Sequence, residues 1–268
     1  MITPTYLPTT SPASPIIRDL RAALHSEWIK LRSVRATWIF VGLATVIGLV
    51  MSLILGMVVK TDPYDHLPFT IGNTFLVSSW LTTVFAVVAG TLLFTSEVQH
   101  GTLAGALTAR PSKPIIVGAK AVTAAVLGFA MGAVGIVGGL VGGLASGMDT
   151  GDMSGAASGV AWALVLTTLA AVLGLGVGLI VRHSAAAVTS VLIWALAVET
   201  LIRGIVSPTV SRLLPFTAAN GLLGTRSAAD TPETLAAALS NLGNVAVIGC
   251  WAAGAVAIGT VLLMRKDS

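Results

Sequence analysis

The chain has 268 residues, of which 55% are hydrophobic and only 10% are charged, and its mean hydropathy is +0.92. Because a soluble domain carries about 25% charged residues, this composition excludes an ordinary water-soluble enzyme or binding domain. A membrane-spanning helix needs roughly 20 apolar residues, so a chain of this length accommodates about six spans and no second folded domain.

The N-terminal region divides into a polar tail and an amphipathic helix. Residues 1–15 contain four prolines and no basic residue, which predicts a disordered tail rather than a signal peptide. Over residues 16–36, apolar side chains recur every three or four positions. These side chains are Ile17, Leu20, Leu24, Trp28 and Leu31. With basic residues beside this stripe and a long apolar run behind it, the pattern favours a helix at the membrane interface over a solvated helix.

Hydropathy predicts six membrane spans in the rest of the chain. Their ranges are 38–59, 74–95, 115–145, 159–181, 185–206 and 244–264. Each span must be helical because an open sheet cannot satisfy its backbone polar groups in lipid. The predicted fold is therefore an all-α polytopic membrane protein, with one transmembrane domain over residues 16–268.

The basic residues predict the orientation, since Lys and Arg are retained on the cytoplasmic side. With the N-terminus inside, only Lys60, Arg203, Arg212 and Arg226 of the 15 basic residues lie outside. Both termini are then cytoplasmic. Membrane orientation thus explains the pI near 9.6 without a nucleic-acid partner.

Two connections between spans are long. The segment 96–114 joins the second and third spans on the cytoplasmic side and offers the largest surface there to a partner. The segment 207–243 precedes the last span on the outer side and contains two predicted amphipathic helices, which we expect to dip into or rest on the outer leaflet. The second helix begins with Thr231, Pro232 and Glu233, a typical N-terminal signature. A plain solvated loop is the alternative.

Motifs for catalysis by this chain alone are absent from the sequence. It contains no GxxxxGK[ST], HExxH or GxSxG motif. The four histidines are scattered along the chain, and the single cysteine, Cys250, cannot form an intrachain disulfide. We therefore expect no catalytic residue, cofactor site or metal site in this chain.

Two further patterns lie inside the predicted spans. Glycines recur four residues apart as the pairs Gly128/Gly132, Gly135/Gly139, Gly139/Gly143 and Gly174/Gly178. This spacing favours close helix packing within the chain over a dimer seam. Glu199 and Arg203 lie four apart on one helical face of the fifth span. They either pair with each other while Arg203 reaches the outer interface, or they mark a substrate or proton pathway.

Two segments resemble the ABC-2 family of ATP-binding-cassette transporter permeases. The first spans residues 26–38, and its matching residues are Glu27, Trp28, Lys30, Leu31, Ser33 and Arg35. The second spans residues 97–122, and its matching residues are Glu97, Gly101, Thr102, Leu107, Pro111, Lys113, Ala119 and Lys120. Many family members carry further acidic residues after Gly-Thr, where this chain has Ala104 and Gly105.

The resemblance implies that one kind of subunit forms the membrane pathway and another hydrolyses ATP. Residues 16–36 would be an elbow helix along the inner leaflet, defined by Glu27, Trp28, Lys30, Arg32 and Arg35. The loop 96–114 would couple to an ATPase through Glu97, Gly101, Thr102, Leu103, Leu107, Arg110 and Lys113. Two cytoplasmic ATPase subunits would bind ATP and Mg, and a second permease copy, identical or different, would complete the pathway. The chain itself would not be an enzyme.

The resemblance further implies a location in the bacterial plasma membrane among its lipids. The expected function is export of a hydrophobic or amphipathic substrate such as a drug, lipid or peptide, although a polysaccharide path between two permeases is also conceivable. Two alternatives from other classes remain: a proton-coupled secondary transporter that uses Glu199, and a non-transporting membrane anchor. No repeat between the chain halves supports the secondary transporter.

Overall fold

The computed structural model describes residues 15–61, 70–102, 112–151, 153–224 and 231–265. All regular secondary structure within these ranges is helical, and six of the helices are long and apolar enough to cross a membrane. The predicted all-α polytopic class is confirmed. The spans are span 1 (Arg35–Thr61), span 2 (Ile71–Gln99), span 3 (Lys113–Ala145), span 4 (Ala156–Val181), span 5 (Ser184–Ile205) and span 6 (Asn241–Arg265).

The elbow helix is Pro15–Ser33, and only Val34 separates it from span 1. The indole nitrogen of Trp38 donates a hydrogen bond to the carbonyl oxygen of Arg32 at 3.0 Å, which ties the corner between the two helices. The sequence assigned residues up to 36 to the elbow. In the structure Arg35 instead begins span 1.

Spans 2, 3 and 4 form the centre of the bundle. They are the most buried spans, whereas fewer than a third of the residues in the apolar stretches of spans 1, 5 and 6 are buried. Span 1 packs mainly on span 3, and span 6 packs mainly on span 4. Since hydrocarbon surrounds such a bundle, the apolar exteriors of spans 1, 5 and 6 are compatible with lipid or with another membrane subunit.

Glycines set the close approach of the central helices. A methyl group added at Gly174 of span 4 would overlap the carbonyl oxygen of Val87 in span 2, and one at Gly90 of span 2 would overlap the carbonyl oxygen of Ala171 in span 4. Gly128 of span 3 similarly faces span 4. The predicted role of the glycine pairs in packing within the chain is confirmed.

In the described part of the segment before span 6 lie three short helices: Pro208–Ser211, Pro215–Leu223 and Pro232–Ala236. We refer to the last two as the Pro215 helix and the Pro232 helix. The Pro215 helix packs against spans 6, 4 and 2, with Phe216 and Leu222 buried. Its apolar face therefore contacts protein, whereas the sequence suggested a helix on the outer leaflet.

The Pro232 helix has the predicted N-terminus. The Thr231 hydroxyl accepts a hydrogen bond from the backbone N–H of Thr234, and the Thr234 hydroxyl accepts one from the backbone N–H of Thr231. These two reciprocal hydrogen bonds pair two backbone N–H groups that would otherwise lack an acceptor at the start of the helix. The prediction of a helix start at this point is confirmed.

Candidate functional site

Four charged side chains meet where the elbow helix, the end of span 2 and the start of span 3 converge. Lys120 Nζ lies 2.7 Å from Glu97 Oε1 and 3.2 Å from Glu27 Oε2. Lys30 Nζ lies 2.7 Å from Glu27 Oε1 and 2.8 Å from Glu97 Oε1. We call these four residues the charge cluster. Each cation contacts both anions, so the cluster is formally neutral.

Because two of its members are buried, the charge cluster matters for the stability of the fold. Lys120 is 1% exposed and Glu27 is 6% exposed. Removing a charge from water costs several kcal/mol, which only well-placed opposite charges recover. Each buried member therefore depends on its partners, and the three helices that supply them are held in one arrangement.

Lys30 forms the more exposed side of the charge cluster. Burial alone would lower its pKa, but the hydrogen bonds to Glu27 and Glu97 and the negative charges of these carboxylates raise the pKa above the ordinary 10.5. Because the folded-state pKa is raised, the contribution of Lys30 to stability is complete at neutral pH. It is lost only as the pH rises through that raised value.

The elbow helix presents two faces. Ala23, Glu27 and Leu31 are buried at spacings of four, so this face packs on the protein. Ile17 and Trp28 of the predicted apolar stripe are exposed instead, and the guanidinium of Arg32 lies 5.5 Å from the centre of the Trp28 ring. The predicted stripe is therefore divided: Ile17, Leu20 and Trp28 are open to lipid, whereas Leu31 packs on the protein beside the buried carboxylate of Glu27.

The loop between spans 2 and 3 begins directly at the charge cluster. Span 2 ends at Gln99, and Gly101 has a φ of 70°, the left-handed conformation that glycine adopts at helix ends. The Thr102 hydroxyl donates to the carbonyl oxygen of Glu97 at 3.3 Å. Gly101 and Thr102 are both exposed.

The loop returns at Lys113, which begins span 3 and whose ammonium donates to the carbonyl oxygen of Leu263 in span 6 at 3.2 Å. The other residues that the sequence assigned to coupling are Leu103, Leu107 and Arg110. These three lie outside the described residues. Glu97 lies at the start of the predicted coupling loop and Lys120 lies beyond its end, so the charge cluster adjoins both ends of the loop.

Glu199 belongs to a separate site. It is 2% exposed and follows a π-helical turn, Trp194–Val198, in span 5. Its carboxylate accepts hydrogen bonds from the backbone N–H of Phe216 at 3.1 Å, from the Thr217 hydroxyl at 2.8 Å and from the backbone N–H of Thr217. Glu199 therefore caps the N-terminus of the Pro215 helix.

The cap was not apparent from the spacing of Glu199 and Arg203. The sequence of the Pro215 helix did contain a hint of the cap. Leu214 stands at its N-cap position, and leucine has no side-chain acceptor for the backbone N–H groups of the first turn. Such a helix start needs an acceptor from elsewhere in the chain. Arg203 lines a cavity of about 300 Å³ together with Arg212, Asn220 and Asn244, and apolar side chains such as Leu235 complete its walls.

An amphipathic first helix, six helices long and apolar enough to cross a membrane, and paired charges at one loop together describe a multi-pass membrane protein. Residues 23–202 match the family described as ABC-2 family transporter protein, and the chain belongs to this family. The matched range contains the whole charge cluster and Glu199. The chain is thus a membrane-spanning permease subunit of an ABC transporter, a family that associates with ABC ATPase subunits. No curated protein matches the chain in sequence.

Proposed function

We propose that this chain forms part of an export pathway driven by two cytoplasmic ATPase subunits that bind its loop 96–114. The charge cluster is the observation that supports this proposal. Glu97 stands at the start of the loop and binds Lys30 of the elbow helix, whereas Lys120 follows the loop and binds Glu27 of the same helix. A movement of the loop would therefore carry span 2, span 3 and the elbow helix together.

The packing of the central spans extends this movement into the bundle. Span 2 packs closely on span 4 at Gly90 and Gly174. At each glycine the backbone of the opposite helix is so near that an added methyl group would overlap it. Packed helices of this kind shift as rigid bodies rather than bend. ATP binding and hydrolysis on the partner subunits would thus switch the bundle between access states.

The site residues then fall into two roles. Gly101 and Thr102, together with Leu103, Leu107 and Arg110 of the loop, would face the ATPase. Glu97 and Lys113 would instead position the two ends of the loop, because their side chains contact the permease itself. ATP and Mg would be held by the partner subunits only.

The cargo would be a hydrophobic or amphipathic molecule. The exposed surfaces of spans 1, 5 and 6 carry large apolar side chains, among them Ile39, Leu201 and Leu242. A second permease copy, identical or different, would pack on part of this surface and enclose the path. The composition of the spans suits drugs, lipids or peptides as cargo.

Replacement of residues 101–106 with a flexible Gly-Ser linker of equal length tests the proposal. We expect transport and the stimulation of ATPase activity to be lost while the spans remain folded, since the charge cluster stays intact. The matched control replaces residues 225–230, six residues between the Pro215 and Pro232 helices, and we expect it to retain both activities. Unchanged transport after replacement of 101–106 would contradict the coupling role of the loop.

A further inference from the structure

The buried side chains of span 5 recur at a spacing that a regular α-helix does not keep on one face. Along residues 184–205 the buried side chains are Ala187, Val191, Ala195 and Glu199, each four residues after the one before. Because a regular α-helix advances by about 100° per residue, each step of four overshoots a full turn by about 40°. Over the three steps from Ala187 to Glu199 the drift would reach about 120°, which is a different face of the helix.

The π-helical turn Trp194–Val198 removes most of this drift. The backbone N–H of Glu199 donates to the carbonyl oxygen of Trp194, five residues earlier, where an α-helix would use the carbonyl oxygen of Ala195. The turn therefore contains one additional residue, and the helix beyond it is set back by about 100°. Glu199 consequently lies on the same buried face as Ala195, where its carboxylate reaches the backbone N–H of Phe216.

An α-helical register in the same sequence would turn Glu199 away from the Pro215 helix. Residues after the turn would rotate by about 100°, and position 199 would come to the place that Thr200 occupies now. Thr200 is exposed, and a carboxylate on the exposed surface of a spanning helix is costly in lipid. The hydrogen bonds from Phe216 and Thr217 to Glu199 therefore stabilise the π-helical turn as well as the Pro215 helix.

We infer that the π-helical turn and the Glu199 cap form a latch, in which each part depends on the other. The turn is the positioning element, since it aims Glu199 at the start of the Pro215 helix. The cap in return holds the turn in its register. Loss of the cap would let span 5 adopt the α-helical register, and the Pro215 helix would separate from span 5 while both remain helical. π-Helical turns inside α-helices are rare and occur frequently at functional sites.

Glu199→Leu tests the latch, because leucine offers no acceptor to the Pro215 helix and is favoured on a face exposed to lipid. The measurement is hydrogen exchange of the purified full chain in detergent micelles, followed by mass spectrometry of the segments 194–198 and 215–223. We expect exchange in 215–223 to become at least about tenfold faster, since the cap is lost. Exchange in 194–198 should become slower than in the wild type, because α-helical hydrogen bonds replace those of the π-helical turn.

The opposite changes in the two segments distinguish a latch from a cap that is only structural. A structural cap would alter the exchange of 215–223 alone. Unchanged or faster exchange of 194–198 in Glu199→Leu would therefore overturn the proposal. Thr200→Val, at the exposed neighbouring position, is the matched control, and we expect wild-type exchange in both segments.

Deletion of Ala197 tests the latch from the other side. Ala197 is exposed within the π-helical turn, so its deletion removes the additional residue and leaves Glu199 on the buried face. We expect slower exchange in 194–198 and exchange in 215–223 no faster than in the wild type, because a regular α-helix then carries the cap. Loss of folding, or faster exchange in 215–223, would overturn the proposal.

The control for this deletion is Ala246 in span 6, which is also an exposed alanine. Span 6 is a regular α-helix from Asn241 to Arg265 and has no additional residue to lose. We therefore expect deletion of Ala246 to shift the register of the helix and to lower the temperature of thermal unfolding, whereas deletion of Ala197 should leave that temperature unchanged or raise it. All of these measurements are made without an ATPase, so their results are independent of the proposed coupling.

Discussion

Lys120 holds a positive charge in an almost fully buried side chain, and two carboxylates from other helices neutralise it. The sequence marked Glu27, Glu97 and Lys120 individually through the family resemblance. It could not show that they meet, because Lys120 and Glu27 are separated by 93 positions and no local pattern encodes such a contact. The pairing arises only when the elbow helix lies against spans 2 and 3.

Removal of Lys120 should be costly. In Lys120→Met, Glu27 and Glu97 stay buried with Lys30 as their only remaining partner in the cluster, so we expect a loss of about 3–5 kcal/mol in the free energy of unfolding. The measurement is unfolding of the purified chain in mixed detergent micelles. Arg265→Gln is the control, since Arg265 is exposed at the end of span 6 and its loss should cost less than about 0.5 kcal/mol.

A second substitution separates pairing from packing. In Lys120→Met/Glu27→Gln one charge of each sign is removed, so the total loss should be smaller than the sum of the two single losses. Additive losses would mean that Lys120 and Glu27 do not interact. A Lys120→Met chain as stable as Arg265→Gln would contradict the role assigned to the charge cluster.

Glu199 should behave as a cap rather than as a proton carrier. Glu199→Leu removes every acceptor that Glu199 offers to the start of the Pro215 helix, so we expect a loss of about 1–3 kcal/mol in the free energy of unfolding for each donor left buried without a partner. Glu199→Gln keeps one acceptor oxygen, so we expect a smaller loss of stability and continued transport, both followed in proteoliposomes. Thr200→Val, at the exposed neighbouring position, is the control and should change neither the stability nor the transport.

Glu199→Gln also separates the two classes of transporter. A chain that moves protons through Glu199 would lose transport in this variant while it kept its stability. That result would contradict the cap and favour the secondary transporter. ATP-dependent transport by Glu199→Gln would exclude an essential proton step at this residue.

The positions of the helices were predicted from the sequence more accurately than the contacts between them. Hydropathy predicted all six spans within a few residues, because a stretch long enough to cross hydrocarbon leaves a signal that does not depend on tertiary packing. The burial of the Pro215 helix was not predicted. Its apolar face would look the same in the sequence whether it contacted lipid or, as observed for Phe216 and Leu222, the protein.

Glycine packing between spans 2 and 4 predicts position-dependent effects of one methyl group. Gly174→Ala would press against the carbonyl oxygen of Val87, so we expect a loss of about 1–3 kcal/mol. Gly118→Ala in span 3 meets no atom within 4 Å and should be neutral or more stable, because alanine loses less entropy in a helix. Thermal unfolding of both variants checks this. Equal effects would show that spans 2 and 4 are not closely packed.

The distribution of basic residues over the assembled bundle predicts which side faces the cytoplasm. In a Cys250→Ser background, Thr102→Cys and Ala236→Cys place one exposed thiol on each side of the membrane. A membrane-impermeant thiol reagent should modify Ala236→Cys in intact cells and Thr102→Cys only after permeabilisation. The reverse labelling pattern would contradict cytoplasmic termini.

Coupling to an ATPase is tested most directly by a photo-crosslinking amino acid at Thr102, which is exposed where the loop leaves span 2. The permease is co-expressed with candidate ATPase subunits, irradiated in membranes and analysed for covalent adducts. The same probe at Ala236 on the opposite side is the control. We expect an adduct between the permease and a nucleotide-hydrolysing subunit from position 102 and none from position 236. An adduct from position 236 alone, or from neither position in an active complex, would contradict coupling through this loop.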